Sequence, residues 1–455
     1  METIIIIVFL VGYLAITLEH NLKIDKLIPA LAMMAILWAL IALAHLPVFE
    51  VNTDLKELEP SHIDEMLLHH LGKTAEILVF LLGAMTIVEI IDYFDGFATI
   101  KGYIRTKKKS KLLWLFSILA FILSAIIDNL TATIVLVTIL QKVIKERDVR
   151  LWFAGMIIIA ANAGGAWSPI GDVTTTMLWI GDKVSAVELI KNVLLPSIVC
   201  MIIPVLVALR YKAFKGNIES EVLTEEPKKS PHGATMLYLG LGSIVFVPFF
   251  KTITHLPPYV GMMLSLAVVA TFAEIYTSAK FSISSVDGAE SHEGSMHSAV
   301  HASLSKIELP SILFFLGILL AVAALESLGM LFHFAGFLDE TMPFLGTEAA
   351  GGSVSDLVII ILGIGSAVID NVPLVAASMG MFSIPTDDSV WHFIAYSAGT
   401  GGSMLIIGSA AGVVAMGMEK IDFFWYFKKI AWLAFVGFIA GAGTFMLLRN
   451  LLQAA

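Results

Sequence analysis

Two short stretches place a carboxylate beside an amide within long apolar runs. The first is Asp128-Asn129 and the second is Asp370-Asn371. A carboxylate at the centre of a membrane costs about 2.5–3.5 kcal/mol on insertion scales, so it needs a compensating partner. Hard cations prefer oxygen ligands, and burial favours the protonated form of a carboxylate. The pairs therefore predict a site that holds a cation or a proton, although a capped turn would use the same residue types.

A third polar stretch lies within the apolar run at residues 150–180. From Asn162 to Asp172 it reads Asn-Ala-Gly-Gly-Ala-Trp-Ser-Pro-Ile-Gly-Asp. Glycine and proline interrupt helices, and an unwound segment at membrane depth can present its carbonyls to an ion. A simple kink would account for the glycines and the proline but not for the polar residues. We predict an ion-lining break with Gly164, Gly165 and Pro169 as breaking residues and Asn162, Asp172, Thr174 and Thr175 as ligands.

The polar stretches recur in the second half of the chain. Ser124–Asn129 reads Ser-Ala-Ile-Ile-Asp-Asn, and 242 residues later Ser366–Asn371 reads Ser-Ala-Val-Ile-Asp-Asn. Gly164-Gly165 recurs as Gly401-Gly402 at an offset of 237. Matched features in the same order predict an internal repeat. The predicted cation- and proton-binding residues are Ser124, Asp128, Asn129, Thr131, Asn162, Asp172, Thr174, Thr175, Ser366, Asp370 and Asn371, with sodium at Asp128, Asn129, Asp370 and Asn371.

Some assignments keep an alternative. Ser124 and Ser366 each lie one helical turn before an aspartate. Their hydroxyls could be cation ligands or could bond back to their own helix. Glu89 and Glu326 also match at the offset of 237 and are candidate proton-coupling residues. Both lie near a predicted membrane edge, so the alternative to proton coupling is that their side chains extend to the membrane–water interface. Residues 397–409 contain no carboxylate, so the two sites are expected to differ chemically.

Composition restricts the class of protein. Apolar residues make up 58% of the 455 residues and charged residues 15%, against about 45–50% and 25% in soluble domains. These values exclude a soluble enzyme, a disordered chain and a nucleic-acid-binding protein. The single cysteine, Cys200, excludes a disulfide framework and a multi-cysteine metal site. Ser124 and Asp128 have no histidine partner in the adjoining apolar runs, so no enzymatic activity and no cofactor are expected.

Hydropathy and loop charge predict the topology. About 20 apolar residues cross a bilayer as a helix, and basic residues remain on the cytoplasmic side. Lysines and arginines flank both ends of the run at 111–146, so that run is predicted to re-enter as a hairpin. Acidic residues flank the matching hairpin at 354–383, which is expected to open outside. The predicted full crossings are residues 3–18, 27–46, 75–94, 150–180, 187–210, 234–254, 258–279, 309–334, 389–418 and 421–448.

The predicted fold is an all-α polytopic membrane protein built from two inverted repeats. Residues 1–210 and 234–455 each contain five crossings and one re-entrant hairpin, and an odd number of crossings inverts the second half. Residues 211–233 form a cytoplasmic linker, and both termini are predicted outside. Broken helices at 150–180 and 389–418 accompany the two hairpins at mid-membrane.

Two hydrophilic loops carry weaker signals. Residues 51–72 alternate acidic and apolar side chains, which predicts a short surface helix, with an oligomer contact as the alternative. His292, His297 and His301 lie in a hydrophilic loop. Because His292-Glu293 lacks the second histidine of a metalloprotease motif, we predict solvated side chains there and no zinc site.

These motifs resemble the NhaD family of sodium/proton antiporters. That family lies within the ion-transporter superfamily that also includes INDY-like dicarboxylate carriers and arsenite carriers. The resemblance covers nearly the whole chain and is most specific at Ser124–Thr131, Asn162–Thr175 and Ser366–Asn371. It implies exchange of Na⁺, and of Li⁺, for H⁺, serving sodium extrusion and pH homeostasis.

The hairpin tips depart from those of INDY-like carriers, which read Ser-Asn-Thr. Here Asp128 and Asp370 replace the serine, and Leu130 and Val372 replace the threonine. The added negative charge favours a cation over an anion, so a carrier of arsenite or a dicarboxylate is the alternative interpretation. The resemblance further implies an elevator motion against a scaffold and a homodimer in a lipid bilayer, expected to be a bacterial inner (plasma) membrane.

Overall fold

The computed structural model describes most of the chain. It describes residues 1–17, 22–52, 57–101, 106–218, 232–284, 298–331, 333, 354–368, 371–382 and 384–453. Among the residues singled out above, Asp370, His292 and His297 lie outside the described residues.

The described residues contain nineteen α-helices. In a membrane a helix satisfies its backbone hydrogen bonds internally, which explains why long apolar runs adopt this structure. The helices are α1 (Glu2–Thr17), α2 (Leu27–Leu43), α3 (Ile63–Tyr93), α4 (Ala98–Lys101), α5 (Lys109–Ile127), α6 (Asn129–Val143), α7 (Arg147–Gly165), α8 (Val173–Ile180), α9 (Ala186–Ala208), α10 (Gly233–Thr254), α11 (Pro258–Ser284), α12 (Ala299–Leu304), α13 (Leu309–Ser327), α14 (Asp356–Gly365), α15 (Asn371–Met381), α16 (Ser389–Gly401), α17 (Ala410–Glu419), α18 (Phe423–Lys429) and α19 (Ala431–Gln453).

Seven of the described helices are long and apolar enough to cross a membrane. They are α3, α5, α9, α10, α11, α13 and α19. The predicted crossings at 3–18 and 27–46 correspond to the shorter helices α1 and α2, of 16 and 17 residues. The runs at 150–180 and 389–418 are each divided into two helices. The chain is therefore a mostly helical integral membrane protein.

The loop before α3 corrects one prediction. Val48–Asn52 and Glu57–Ser61 form antiparallel strands β1 and β2, so a surface helix over the whole of residues 51–72 is wrong. The alternation of acidic and apolar residues has the period of a strand, and Pro60 disfavours a helix interior. Helix α3 begins only at Ile63 and its 31 residues extend about 46 Å, which exceeds the thickness of a bilayer core.

The apolar runs of the first half are interrupted at two places. Helix α5 ends at Ile127 and α6 begins at Asn129, with Asp128 between them at φ 78° and ψ 159°. A non-glycine residue with positive φ is uncommon and marks an abrupt change in chain direction. Helix α7 ends at Gly165, and α8 begins at Val173 after seven residues that form neither helix nor strand.

The second half is interrupted at the corresponding positions. Helix α14 ends at Gly365 and α15 begins at Asn371. Helix α16 ends at Gly401 and is followed by a 3₁₀ turn at Gly402–Met404, after which α17 begins at Ala410.

The interrupted helices of the two halves pack against one another. Helices α5 and α6 contact α7, and α14 contacts α16, within their own halves. Between the halves, α6 and α7 contact α17, and α8 contacts α15 and α16. A second group consists of α2, α3, α10, α11 and α13, in which α13 packs on α2 and α3 while α11 packs on α3 and α10. The candidate site therefore lies where helices of both halves meet.

Charged contacts join segments that were predicted on the same side of the membrane. Lys109 and Glu146 lie 3.2 Å apart at the two ends of the first hairpin. Arg150, at the start of α7, contacts Glu419 at the end of α17 at 3.0 Å, and the glutamate side chain is buried. These contacts hold the bases of the first hairpin and the two interrupted helices together.

Two further ion pairs lie at the segments predicted on the opposite side. Arg449 near the end of α19 forms two contacts of 2.6 Å with the Asp356 carboxylate at the start of α14. Lys251 near the end of α10 lies 3.0 Å from Asp182 in the loop after α8. The grouping agrees with a chain that has two polar ends separated by an apolar layer.

Candidate functional site

Asp128 is held at the junction between α5 and α6. Its Oδ1 accepts a hydrogen bond from the backbone N–H of Thr131 at 2.8 Å, and its Oδ2 accepts one from the Thr131 hydroxyl at 2.9 Å. The aspartate thus caps α6, as the alternative interpretation expected. A carboxylate has about four acceptor positions, so these bonds to Thr131 leave capacity for a cation.

Ser124 connects the first hairpin to α7. Its hydroxyl donates to the carbonyl of Ala161 in α7 at 2.6 Å. The hydroxyl proton is therefore used between two helices and does not bond back to the helix that carries Ser124. One turn later in α7, a Cβ added at Gly164 would overlap the backbone of Phe121. Only glycine permits this approach, and α5 and α7 are in direct backbone contact here.

The second half repeats these contacts. The Ser366 hydroxyl lies 3.2 Å from the carbonyl of Ala398 and 2.8 Å from that of Gly363. A Cβ added at Gly401 would overlap the backbone of Gly363. Each residue pair is the counterpart, at the offsets of 242 and 237, of a pair in the first half.

Asn129 is linked to the second half through a chain of buried polar side chains. Its Nδ2 donates to Oδ1 of Asn162 at 3.1 Å, and Nδ2 of Asn162 donates to the hydroxyl of Ser409 at 3.0 Å. Ser409 is the N-cap residue of α17 and accepts from the N–H of Gly412 at 3.2 Å. Ser409 was not among the predicted ligands, although it lies 237 residues after Asp172.

Asn371 makes the reciprocal connection. Its Nδ2 donates to Oδ2 of Asp172 at 3.0 Å, and the same oxygen accepts from the hydroxyl of Thr174 at 3.0 Å. Asp172 is 4% exposed and is the N-cap residue of α8. Each tip asparagine therefore reaches, directly or through Asn162, the N-cap residue that follows the break in the opposite half.

Hydrogen bonds inside the first break fix its shape. The Ser168 hydroxyl donates to the carbonyl of Ala125 at 2.6 Å. The Thr175 hydroxyl donates to the carbonyl of Asp172 at 2.9 Å, and the Thr176 hydroxyl donates to that of Pro169 at 3.0 Å. The hydroxyl proton of Thr175 is therefore committed within the protein, while its oxygen can still accept or ligate.

The first break lies against the last turn of α16. A Cβ added at Gly399 would lie 2.9 Å from Cβ of Ala166 and 3.6 Å from Oδ2 of Asp172. The breaks and the helix junctions at Asp128 and before Asn371 thus form one cluster. Of the predicted ligands that the structure describes, Ser124, Asn129, Asn162, Asp172, Ser366 and Asn371 are brought together by hydrogen bonds between different helices, whereas Asp128, Thr131, Thr174 and Thr175 bond within their own junction.

Glu326 lies away from this cluster. It lines a cavity of about 100 Å³ together with His70, Lys73 and Lys183. His70 is buried, and its Nε2 has no hydrogen-bond partner among the described residues. Burial lowers the pKa of Lys183, which lies in the loop after α8, and the charge of Glu326 partly counteracts that effect. Glu50 and His69 also line it, so the cavity combines two carboxylates, two ammonium groups and two imidazoles.

Glu89 is not part of this cavity. It lies near the end of α3, whereas His70 lies near its beginning, so about 28 Å of helix separates the two positions. The structure therefore does not bring Glu89 and Glu326 together. Although their sequence positions match, Glu326 lines the cavity and Glu89 does not.

Comparison with known proteins identifies the family. The CitMHS family, described as citrate transporter, matches residues 3–391. Sodium/proton antiporter 1 of Arabidopsis thaliana is 41% identical over 98% of this chain and 72% of its own length. Sodium/proton antiporter 2 of that plant is 38% identical over 98% and 99%. The Na(+)/H(+) antiporter NhaD of Vibrio cholerae is 32% identical over 90% and 84%. The predicted resemblance is confirmed, and the chain belongs to the CitMHS transporter family and, within these relatives, to the NhaD group of sodium/proton antiporters.

Proposed function

We propose that this protein exchanges Na⁺, and also Li⁺, for H⁺ across a membrane. The observation that carries the proposal is the buried carboxylate of Asp172, held by Asn371 of the opposite half. A buried carboxylate is costly unless a proton or a cation compensates its charge. The names of the relatives, sodium/proton antiporter and Na(+)/H(+) antiporter, support Na⁺ and H⁺ as the exchanged ions.

The asparagines provide a physical basis for cation binding. Asn129 and Asn371 each use the side-chain N–H to anchor the hairpin tip. An amide that donates through its nitrogen keeps its carbonyl oxygen as an acceptor. Those oxygens, with the carboxylates of Asp128 and Asp172, supply the hard oxygen ligands that Na⁺ prefers. Protonation of a carboxylate removes the charge that holds Na⁺, so the two ions compete.

Alternating access follows from the arrangement of helices. We propose that the hairpins and the interrupted helices α7, α8, α16 and α17 move as a transport unit, while α2, α3, α10, α11 and α13 act as a scaffold. The packing of these five helices on one another supports this division, and α13 of the scaffold group contacts α15 of the second hairpin. In this proposal the halves are inverted repeats with both hairpins re-entrant, both termini lie outside, and two copies of the chain form a dimer.

The cavity at Glu326 is proposed as a route for protons. It lies between α3 and α13 of the scaffold group and α15 of the second hairpin, because Met379 and Gly380 of α15 also line it. A titratable carboxylate beside half-buried Lys183 and buried His70 can take up and release a proton as α15 moves.

An anionic substrate fits the site poorly. Residues 124–131, 162–176 and 397–412 contain no lysine or arginine, and neither do 363–375. Citrate would meet the carboxylates of Asp128 and Asp172 without a compensating cation, which costs free energy through like-charge repulsion. The proposal therefore keeps the cation and not the anion as substrate.

The test uses inside-out membrane vesicles that contain the protein. NaCl, LiCl or KCl is added between pH 7 and 9.5, and dissipation of a preformed pH gradient is followed with a fluorescent probe. We expect Na⁺ and Li⁺ to dissipate the gradient, and Asp128→Asn to abolish that response. Asp148→Asn, which changes an exposed carboxylate at the start of α7, serves as the control. A normal response from Asp128→Asn, or silence with every cation in well-expressed wild-type protein, would contradict the proposal.

A further inference from the structure

Helix α18 lies directly after α17 and has two different faces. Phe424 and Phe427 are 66% and 54% exposed, whereas Tyr426 is fully buried. Asp422 caps the helix by accepting from the N–H of Trp425 at 2.9 Å, and the indole of Trp425 packs edge-on against Trp152 of α7 at 5.6 Å. The helix is therefore fixed in position, and its inner face presents Tyr426 to the protein interior.

The hydroxyl of Tyr426 reaches the second break. It donates to the backbone carbonyl of Ser403 at 2.8 Å. Ser403 lies in the 3₁₀ turn that follows α16, is buried, and donates its own hydroxyl to the carbonyl of Thr400 at 2.6 Å. A buried carbonyl in an irregular segment needs a donor from elsewhere, because no regular helix or strand supplies one. Tyr426 supplies that donor.

In the first break, the side-chain donors to backbone carbonyls that the described residues show are Thr175 and Thr176, which lie in the helix that follows it directly. The second break has Gly402 and Gly408 where the first has Gly165 and Gly171, but it has neither a proline nor threonines at the start of its following helix. It is therefore the break with fewer local restraints.

We propose that Tyr426 is a positioning residue for cation binding, an inference that rests on the proposed exchange of cations. The tyrosine hydroxyl fixes the turn at Ser403, and the turn fixes the backbone that leads to Ser409. Ser409 holds Asn162, which holds Asn129 beside Asp128. Loss of the hydroxyl frees the turn, so the ligands beside Asp128 lose their fixed arrangement while no ligand is removed.

The test compares two substitutions that remove the same kind of bond. Tyr426→Phe keeps the buried ring and deletes the hydroxyl. Tyr396→Phe is the matched control, because Tyr396 is also fully buried and donates to a backbone carbonyl at 2.8 Å, but that carbonyl belongs to Phe438 of α19. KM and kcat for Na⁺ and Li⁺ are measured in proteoliposomes, and Tm is measured in detergent.

We expect Tyr426→Phe to raise the KM for Na⁺ about fivefold with little change in kcat, the factor that corresponds to about 1 kcal/mol. Tyr396→Phe should lower Tm by a similar amount to Tyr426→Phe and leave KM unchanged. Equal KM values in all three proteins, or equal increases in both variants, would overturn the positioning role. Wild-type protein that transports no cation would instead overturn the proposed function, and this inference with it.

Discussion

The two helix breaks occupy matched positions but differ in chemistry. The first ends at Asp172, a buried carboxylate, and the second ends at Ser409, a hydroxyl. Each accepts a hydrogen bond from an asparagine, and each is the N-cap residue of the helix that follows it. The backbone design is thus shared, whereas the charge is confined to one of the two breaks. The comparison teaches that the site is symmetric in its framework and asymmetric in its electrostatics.

The strongest way to break this comparison is to neutralise the charged member. Asp172→Asn should reduce the initial rate of Na⁺-driven proton exchange about 10- to 150-fold, because a lost contact to a charged group is worth about 1.5–3 kcal/mol. Ser409→Ala removes only a neutral acceptor and should cost about tenfold or less. Rates are measured in inside-out vesicles with matched protein amounts. Equal losses in the two variants would show that the carboxylate has no special role.

The shared framework predicts equal effects on stability. Gly164→Ala and Gly401→Ala should each destabilise the protein by about 1–3 kcal/mol, because the added Cβ overlaps backbone of the neighbouring helix. Gly417→Ala is the control, since a Cβ there meets no heavy atom within 4 Å. In that open helical position alanine should be neutral or stabilising by up to about 1 kcal/mol. Thermal unfolding in detergent distinguishes these cases, and a harmless Gly401→Ala beside a damaging Gly164→Ala would reject the equivalence.

The smallest expected difference lies at the two serines. Ser124→Ala should cost about 0.5–1.5 kcal/mol, because its hydroxyl makes one short hydrogen bond to Ala161. Ser366→Ala should lower the free energy of unfolding by less, since that hydroxyl lies closer to the carbonyl of Gly363 in its own segment than to the carbonyl of Ala398 in the neighbouring helix. Chemical denaturation of both variants and of the wild type gives the ranking. The reverse order would mean that the contact of Ser366 with α16 contributes more to stability than the contact of Ser124 with α7.

The matched offsets in the sequence marked residues that make matching contacts in the structure, although the serines were predicted as ligands and the glycines as helix-breaking residues. Ser124 and Gly164 contact the first half, and Ser366 and Gly401 contact the second, in the manner that a repeat requires. Spacing along the chain carries this information because each contact joins neighbouring helices of one half.

The contacts between the halves were not predictable in the same way. Asn371 and Asp172 are 199 residues apart, and nothing in their local sequence specifies that one holds the other. Tyr426 has no counterpart at the repeat offset, since position 189 is a leucine, so the repeat gave no signal for it. The strands before α3 were missed because an alternation of acidic and apolar residues was taken for an amphipathic helix.

The reciprocal bonds of Asn129 and Asn371 make the two halves complementary and no longer interchangeable. A molecule assembled from two copies of the first half would contain two break carboxylates facing each other, and one assembled from two copies of the second half would contain none. Only the present combination supplies one. The halves therefore relate to each other as the unlike subunits of a heterodimer do, and a substitution accepted in one half constrains the residues that its partner can accept.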